Sequence, residues 1–205
     1  MTDTTTRGAS SSTDDLLILV SRIADQARPG EELEVYASRG VETDVRAYDG
    51  EIEQLASAAS AGVGIRVVAD HRQGFAYAGS LDEAVIAETL AEARDNATFA
   101  TPDEHLGLAR PDDVAPATLD LWDDALSDMP TRAKVDLALD LERRVRNGDK
   151  RVRQVDAADY GDMMAESAIA SSMGITATAR RTICSLSVSA IAGEGTDSQT
   201  GVGFS

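Results

Sequence analysis

Two histidines, one cysteine and several carboxylates are the side chains of this sequence that could perform catalysis or hold a metal. A common zinc-dependent hydrolase needs two histidines one helical turn apart and a glutamate beside the first. Both imidazoles then bind the metal, and the carboxylate activates water. His71 lies in a predicted turn and His105 in an irregular segment, so neither supplies this pattern. We interpret both as solvated or locally hydrogen-bonded, and we predict no catalytic, metal-binding or cofactor-binding residue in this chain.

The cysteine and the carboxylates have simpler interpretations. Cys184 follows Ile183 in a run of alternating apolar residues with no histidine nearby, and we interpret it as a small buried hydrophobic residue. Two acidic groups could in principle act as metal ligands or as an acid–base pair: Asp49, Glu51 and Glu53, and Asp120, Asp123 and Asp124. Because the formal net charge is −17, solvated acidic surfaces are the better interpretation.

Two stretches of small residues differ in what they suggest. The Gly62-Val63-Gly64 sequence lacks the third glycine of a nucleotide-binding loop and precedes a strand, so a bulge or a close backbone approach explains it better. A late strand carries three hydroxyls on one face: Ser185, Ser187 and Ser189. Small hydroxyl side chains leave a strand surface open to a peptide or a partner protein. A plain solvent-facing strand is the alternative.

The composition excludes several classes of partner. Apolar residues make up 42% of the 205 residues and aromatic residues only 4%, which fits a core of aliphatic side chains without a deep aromatic pocket. The net charge of −17 disfavours nucleic acid and anionic membrane surfaces. The longest aliphatic run, residues 16–20, is too short for a membrane span or a signal peptide. A single cysteine fits a reducing compartment, and we predict a cytoplasmic protein.

The first half of the chain predicts an α+β meander unit. Residues 1–12 are predicted to be a disordered tail, and residues 13–98 form the unit. Its first helix buries one apolar face, and Pro29-Gly30 ends it. Alternating residues predict an antiparallel meander of four or five strands, with Asp49-Gly50 as a hairpin turn. A capping box of Ser80 and Glu83 then begins a second helix.

The second half combines a linker, a helix and long strands. Residues 99–128, which contain three prolines, are predicted to be an irregular linker. Residues 129–205 are predicted to be a helix and a long-stranded antiparallel β region. The helix follows Pro130, and its buried face is predicted to hold Lys134, Leu137, Ala138, Leu141 and Val145. Since the last residues look like the start of another strand, we expect the fold to be incomplete at its C-terminal end.

Several segments together resemble the N-terminal region of the TldD/PmbA family. In the first half these are VRAYDGEIE at 45–53, SAGVGIRVV at 60–68, GFAYA at 74–78 and Leu81-Asp82. In the second half, DYG at 159–161, SMGI at 172–175 and SLSVSA at 185–190 are similar to the PmbA (TldE) branch. The resemblance extends from about residue 34 to residue 204.

This resemblance implies a cytosolic zinc-dependent peptidase system in which a TldD-type subunit pairs with a PmbA-type subunit to cleave peptides or unfolded proteins. It places the family's metal motif, His-Glu-three residues-His with a later cysteine, in the C-terminal half of the TldD branch. No position of this sequence matches that motif, so we expect zinc only in a missing C-terminal half or in a partner subunit.

Three hypotheses follow, and we favour the first. The chain is the N-terminal domain of a non-catalytic PmbA-like subunit that faces a peptide substrate and pairs with a TldD-like subunit or with a second copy of itself. Alternatively, it is the N-terminal half of a catalytic TldD-like metalloprotease. The third hypothesis is a standalone module that binds peptides by adding a strand to its sheet.

Overall fold

A computed structural model describes residues 12–112, 114, 117 and 119–205. The first half contains helix α1 (Ser12–Ala24), strands β1 (Glu31–Tyr48), β2 (Glu51–Ala69) and β3 (Arg72–Ala78), and helix α2 (Glu83–Phe99). The second half contains α3 (Asp124–Ser127), α4 (Thr131–Gly148), β4 (Val152–Ser171), β5 (Thr176–Ala192), a 3-10 turn (Gly195–Asp197) and β6 (Gln199–Phe204). The predicted tail lies outside the described residues except for its last position, which begins α1.

The strands form one six-stranded sheet in the order β3-β2-β1-β4-β5-β6. Strands β2 and β3 pair antiparallel, and so do β5 and β6. With helices packed on this sheet, the chain has the predicted α+β fold. Among the described helices, none combines the length and the apolar character needed to cross a membrane.

Two tight turns shape the first three strands. Asp49 and Gly50 both have positive φ, 52° and 81°, and so do Asp70 and His71, at 49° and 59°. Two consecutive positive φ values are typical of the type I′ turn, whose twist matches that of the flanking strands. The predicted hairpin at Asp49-Gly50 is therefore confirmed.

The predicted number of strands in this region is wrong, because the structure has three long strands instead of four or five short ones. The small and polar residues at 56–61 are exposed but stay within β2. Lack of burial at these positions does not interrupt the strand, since ladder hydrogen bonds use only the backbone.

The described residues divide into two compact units that are not continuous in sequence. The first unit takes its residues from Met1–Arg39, Ser60–Asp120 and Ala165–Arg180, and the second from Gly40–Ala59, Leu121–Met164 and Arg181–Ser205. Each long strand therefore contributes to both units.

The first unit has an apolar core between its helices and its part of the sheet. Helix α1 buries Leu16, Val20 and Ile23, as its periodicity predicts, against strand residues such as Val35 and Ile65. Helix α2 packs closely on β3. A Cβ atom at Gly74 would lie only 1.9 Å from the Ala93 carbonyl oxygen, so this contact requires glycine.

The capping box predicted for α2 is wrong. The Ser80 hydroxyl accepts a hydrogen bond from the Asp82 backbone N–H at 3.1 Å, but Asp82 is the N-cap and its side chain makes no capping bond. Glu83 does not reach back to the start of the helix, because its carboxylate pairs with Arg22 at 2.7 Å.

The second unit packs α4 on its strands around Val45, Ala47, Ala138, Val155, Ala158 and Tyr160. The predicted buried face of α4 is partly wrong. Lys134 and Ala138 are buried as predicted, but Leu137 is 37% exposed, and Glu142, which was not predicted, is 2% exposed. The buried face of α4 therefore excludes Leu137 and includes a charged residue, Glu142.

Candidate functional site

Strand alternation in the second unit separates an apolar face from a polar one. On β1, Val45 and Ala47 are buried in the core, so Asp44 and Arg46 lie on the other face of the sheet. On β5, Leu186 and Val188 pack against the same core. The hydroxyls of Ser185 and Ser187 therefore share the polar face. These serines were predicted from the sequence to face a peptide or a partner protein.

This polar face contains a recess of about 340 Å³. Its lining includes Asp44, Arg46, Gln54, Asp159, Gly161, Ser185 and Ser187. The structure therefore brings two of the three predicted serines together with charged residues of β1 and β4. Ser189 does not line the recess.

Gly161 forms part of the floor of this recess. A Cβ atom at Gly161 would lie 3.4 Å from Asp44 Oδ1 and 3.5 Å from Ser185 Oγ. A carboxylate oxygen and a hydroxyl thus both lie beside a position without a side chain. Any larger residue at 161 would occupy the space that now forms the recess.

Arg46 and Asp159 form the charged pair of the recess. Arg46 Nε donates to Asp159 Oδ1 at 2.7 Å, and Nη2 donates to Oδ2 at 3.4 Å. This hydrogen bond, followed by the charge of Asp159, raises the pKa of Arg46. The Asp44 carboxylate, by contrast, accepts no hydrogen bond from any residue that the structure describes. The recess therefore offers a free carboxylate, two hydroxyls and a fixed guanidinium, a set suited to binding polar groups.

A buried charge cluster lies in the core of the same unit. Lys134 Nζ lies 2.6 Å from Asp162 Oδ2 and donates to Thr43 Oγ1 at 3.2 Å. The Tyr160 hydroxyl donates to the same Asp162 oxygen at 2.6 Å. Burial, followed by this hydrogen bond, raises the pKa of Tyr160, which stays protonated. The side chains of Lys134 and Asp162 are 7% and 0% exposed, so we interpret the cluster as structural.

Neither Asp162 nor the Arg46–Asp159 pair was predicted from the sequence. The one available signal was Lys134 on a predicted apolar helix face, because a buried lysine needs an acidic partner. The partner lies on a strand 28 positions later. Spacing within α4 could not identify it.

The other chemically interesting residues lie at the surface. His71 is exposed in the turn between β2 and β3, and the side chain of His105 is 86% exposed. Cys184 is also exposed, which contradicts its interpretation as a buried residue. The residues of β5 are partly buried without interruption only from Leu186 onward, so Cys184 precedes the packed part of the strand.

Three members of the two acidic groups make structural contacts. The Asp49 carboxylate accepts from Arg146 at 2.9 Å, Asp123 caps α3, and Asp124 accepts from the Trp122 indole at 2.8 Å. Within the described part of the chain, no three His, Cys, Asp or Glu side chains gather in a way that could hold a metal ion.

Comparisons with solved structures show the fold. TldE from Thermococcus kodakarensis matches with a TM-score of 0.78 and 18% identity, over 94% of this chain and 42% of that one. A proposed modulator of a DNA gyrase from Thermotoga maritima MSB8 matches with a TM-score of 0.74 and 19% identity, over 94% and 42%. A proposed modulator of DNA gyrase from Bacteroides thetaiotaomicron VPI-5482 gives 0.75 and 19%, over 95% and 45%. The chain therefore spans less than half the length of each of these proteins.

Family models match both halves of the sequence. The model described as PmbA/TldA metallopeptidase domain 1 matches residues 33–97, and the model of the PmbA/TldA metallopeptidase central domain matches residues 124–205. No curated protein matches the chain. Since the two family matches together span more than two thirds of the sequence, the chain belongs to the TldD/PmbA family of metallopeptidase-type proteins.

Proposed function

We propose that this chain is the substrate-facing N-terminal part of a non-catalytic, PmbA-like subunit in a cytoplasmic zinc-dependent peptidase complex. The observation that carries the proposal is the polar recess on the open face of β1, β4 and β5. Its volume, about 340 Å³, is within the range of ligand sites in proteins. In this proposal the recess holds a short stretch of extended peptide.

The chemistry of the recess suits a peptide main chain. An extended peptide presents N–H donors and C=O acceptors in alternation. The hydroxyls of Ser185 and Ser187 can both donate and accept, Asp44 can accept from N–H groups, and Arg46 can donate to a carbonyl. Because these contacts use the main chain, they would bind many sequences, as a peptidase of broad specificity requires.

The recess does not suit zinc. Zinc sites in proteins use three or four histidine, cysteine or carboxylate ligands at about 2.0–2.3 Å. Here the acidic residues are Asp44 and Asp159, and Asp159 is paired with Arg46. We therefore place the catalytic zinc of the proposed complex outside the described residues, as the family resemblance implies.

One observation supports the non-catalytic branch. The recess is lined by residues 159–161 and by Ser185 and Ser187 of the 185–190 segment, and both segments resemble the PmbA branch. The proposed partner is a TldD-like subunit, and a homodimer is the alternative.

The decisive experiment uses the full-length gene product, alone and with a TldD-like partner from the same genome. Bound zinc is measured by elemental analysis, and activity is measured by cleavage of a fluorogenic peptide. We expect zinc and activity only when the partner is present. Stoichiometric zinc together with activity in the subunit alone would reject the non-catalytic assignment in favour of the TldD-like alternative.

A second experiment tests the recess within the active complex. Gly161→Leu would fill the floor, and we expect KM for the peptide to rise about tenfold, equivalent to about 1.4 kcal/mol of lost binding. Ser189→Leu on β5 is the matched control, since Ser189 does not line the recess. Equal effects of the two substitutions, with zinc content unchanged, would show that the recess does not bind substrate.

A further inference from the structure

The first unit contains a second cavity that concentrates positive charge in an acidic protein. It has a volume of about 270 Å³ and is lined by residues from the loop after α1, the ends of β2 and β3, and α2. Three arginines line it: Arg28, Arg72 and Arg94. The chain has 19 Lys and Arg residues against 36 acidic ones, so the three arginines of this cavity contrast with the overall negative charge.

Two of these arginines are fixed by contacts within the unit. Arg94 Nε donates to Glu31 Oε1 at 2.8 Å, and its Nη2 donates to Glu31 Oε2 at 3.1 Å and to the Gln26 carbonyl at 2.8 Å. Arg72 Nη1 donates to the Ala100 carbonyl. Both guanidinium groups are thereby held beside the cavity with some of their N–H groups unused.

Arg28 differs from the other two. Its backbone N–H donates to Glu31 Oε2 at 2.9 Å, which fixes the main chain at this position. Its guanidinium makes no hydrogen bond or ion pair with a described residue. The charge of Arg28 acts on Glu31 without an ion pair, so its guanidinium N–H groups stay available to a ligand.

The carboxylates around the cavity limit the charge of a ligand. Burial alone would raise the pKa of Glu31, but the hydrogen bonds and charges of Arg94 and Arg28 outweigh it and lower that pKa, so Glu31 is ionised. Asp70 also lines the cavity, so two carboxylates face three guanidinium groups. The surplus of one positive charge matches a monoanion better than a dianion.

The remaining wall is apolar, and Val67, Ala69 and Ala97 supply it. Ligand sites commonly combine such a wall with a few polar groups that fix orientation. The size, the single surplus charge and the apolar wall together suit one amino-acid residue that ends in a carboxylate.

We propose that this cavity binds the C-terminal residue of a peptide. Its α-carboxylate pairs with Arg28, and its side chain contacts the apolar wall. The inference rests on the proposed function in one respect: it takes peptides to be the substrates of the complex. It adds a preference for a free C-terminus, a property that the recess of the second unit does not supply.

The test measures binding to the full-length protein by isothermal titration calorimetry, with N-acetyl-leucine as the carboxylate probe. N-acetyl-leucinamide has the same side chain without the charge, and inorganic phosphate tests a dianion. We expect the acid to bind, and both the amide and phosphate to bind at least about tenfold more weakly. Binding of the amide equal to that of the acid, or tighter binding of phosphate, would overturn the proposal.

Substitution of Arg28 locates the binding site. Arg28→Gln should weaken N-acetyl-leucine binding about tenfold, because it removes the charge that pairs with the carboxylate. The Arg28 side chain is exposed and makes no hydrogen bond or ion pair with a described residue, so the fold should be unaffected. Arg22→Gln is the matched control, since Arg22 pairs with Glu83 and does not line the cavity. Equal binding by the two variants would reject this site.

The zinc and partner measurements described above do not depend on Arg28. Loss of N-acetyl-leucine binding with an intact zinc-containing complex would reject only the C-terminus site. Zinc and activity in the isolated subunit would reject only the non-catalytic assignment.

Discussion

The cores of the two compact units differ in whether they bury charged side chains. The core of the first unit joins α1, α2 and strand residues through aliphatic side chains, and its Arg94–Glu31 ion pair lines a cavity. The core of the second unit has fewer buried apolar residues and contains Lys134, Glu142 and Asp162. Apolar burial contributes free energy with little directionality, whereas a buried ion pair demands one geometry. We infer that packing holds the first unit together and that charge fixes how α4 sits on the strands of the second.

The largest expected effect comes from breaking the buried cluster. Lys134→Met leaves the Asp162 carboxylate buried without its cation, and we expect a loss of about 3–5 kcal/mol in the free energy of unfolding. Urea denaturation measures it. Lys150→Met is the control, because Lys150 is exposed and should change stability by less than about 0.5 kcal/mol.

The double substitution Lys134→Met and Asp162→Leu tests whether the loss in the single variant comes from leaving the Asp162 charge unpaired. Since replacing both members of a buried pair by apolar residues is often neutral, we expect it to recover most of the loss. If the double variant is as unstable as the single one, the cluster contributes more than the pairing of its charges.

The matching test in the first unit concerns packing. Gly74→Ala places a Cβ atom 1.9 Å from the Ala93 carbonyl oxygen and 2.4 Å from the Ala97 nitrogen, so β3 and α2 must separate. We expect a loss of about 3 kcal/mol, at the upper end for overpacking, in urea denaturation. Gly79→Ala is the control, because a Cβ atom there meets nothing within 4 Å. Similar stability of the two variants would contradict the close contact.

A smaller effect is expected at Glu142, the other buried charge of the second unit. Its carboxylate accepts from the Gly50 backbone N–H at 2.9 Å and from Arg146 at 2.6 Å, and so ties α4 to the β1–β2 turn. Glu142→Gln keeps the shape but removes the charge from both bonds, at an expected cost of about 1–2 kcal/mol in thermal unfolding. Asp136→Asn disrupts only an exposed pair with Arg132 and should cost less than about 0.5 kcal/mol. An equal cost would mean that burial of Glu142 is unimportant.

The difference between the units also explains what the sequence could predict. The spacing of apolar residues in α1 predicted which of them are buried, and the Asp49-Gly50 pair predicted the turn between β1 and β2, because both signals are local. The burial of Glu142 was not predicted, because its carboxylate accepts from the Gly50 N–H, which lies 92 positions away in the sequence. Ser185 and Ser187 were found by alternation. Asp44, Arg46 and Asp159 were not, since only strand pairing brings them together.

In the first unit, the Glu31–Arg94 pair should make stability depend on pH. The folded pKa of Glu31 lies below its ordinary value of 4.5, so the unfolded chain binds this proton more readily. The pair therefore contributes fully above about pH 5, and its contribution is lost as the pH falls through the folded pKa. Glu31→Gln should flatten the acid side of a plot of unfolding free energy against pH. An unchanged slope would show that Glu31 titrates alike in both states.

The smallest effect is expected at Asp149, where a large pKa shift coincides with negligible stabilisation. Hydrogen bonds from the Arg151 side chain and backbone lower the pKa of Asp149 to about 2. The pair is exposed, so water and salt screen it and Arg151→Met should not measurably change the free energy of unfolding. The same substitution should raise the Asp149 pKa, as followed by carboxyl NMR during an acid titration. Because the two residues are only two positions apart, we expect the same interaction in the unfolded chain, so the change in pKa does not become a loss of stability. A clear loss of stability in this variant would contradict the view that burial, rather than pairing itself, makes the charges of the second unit matter.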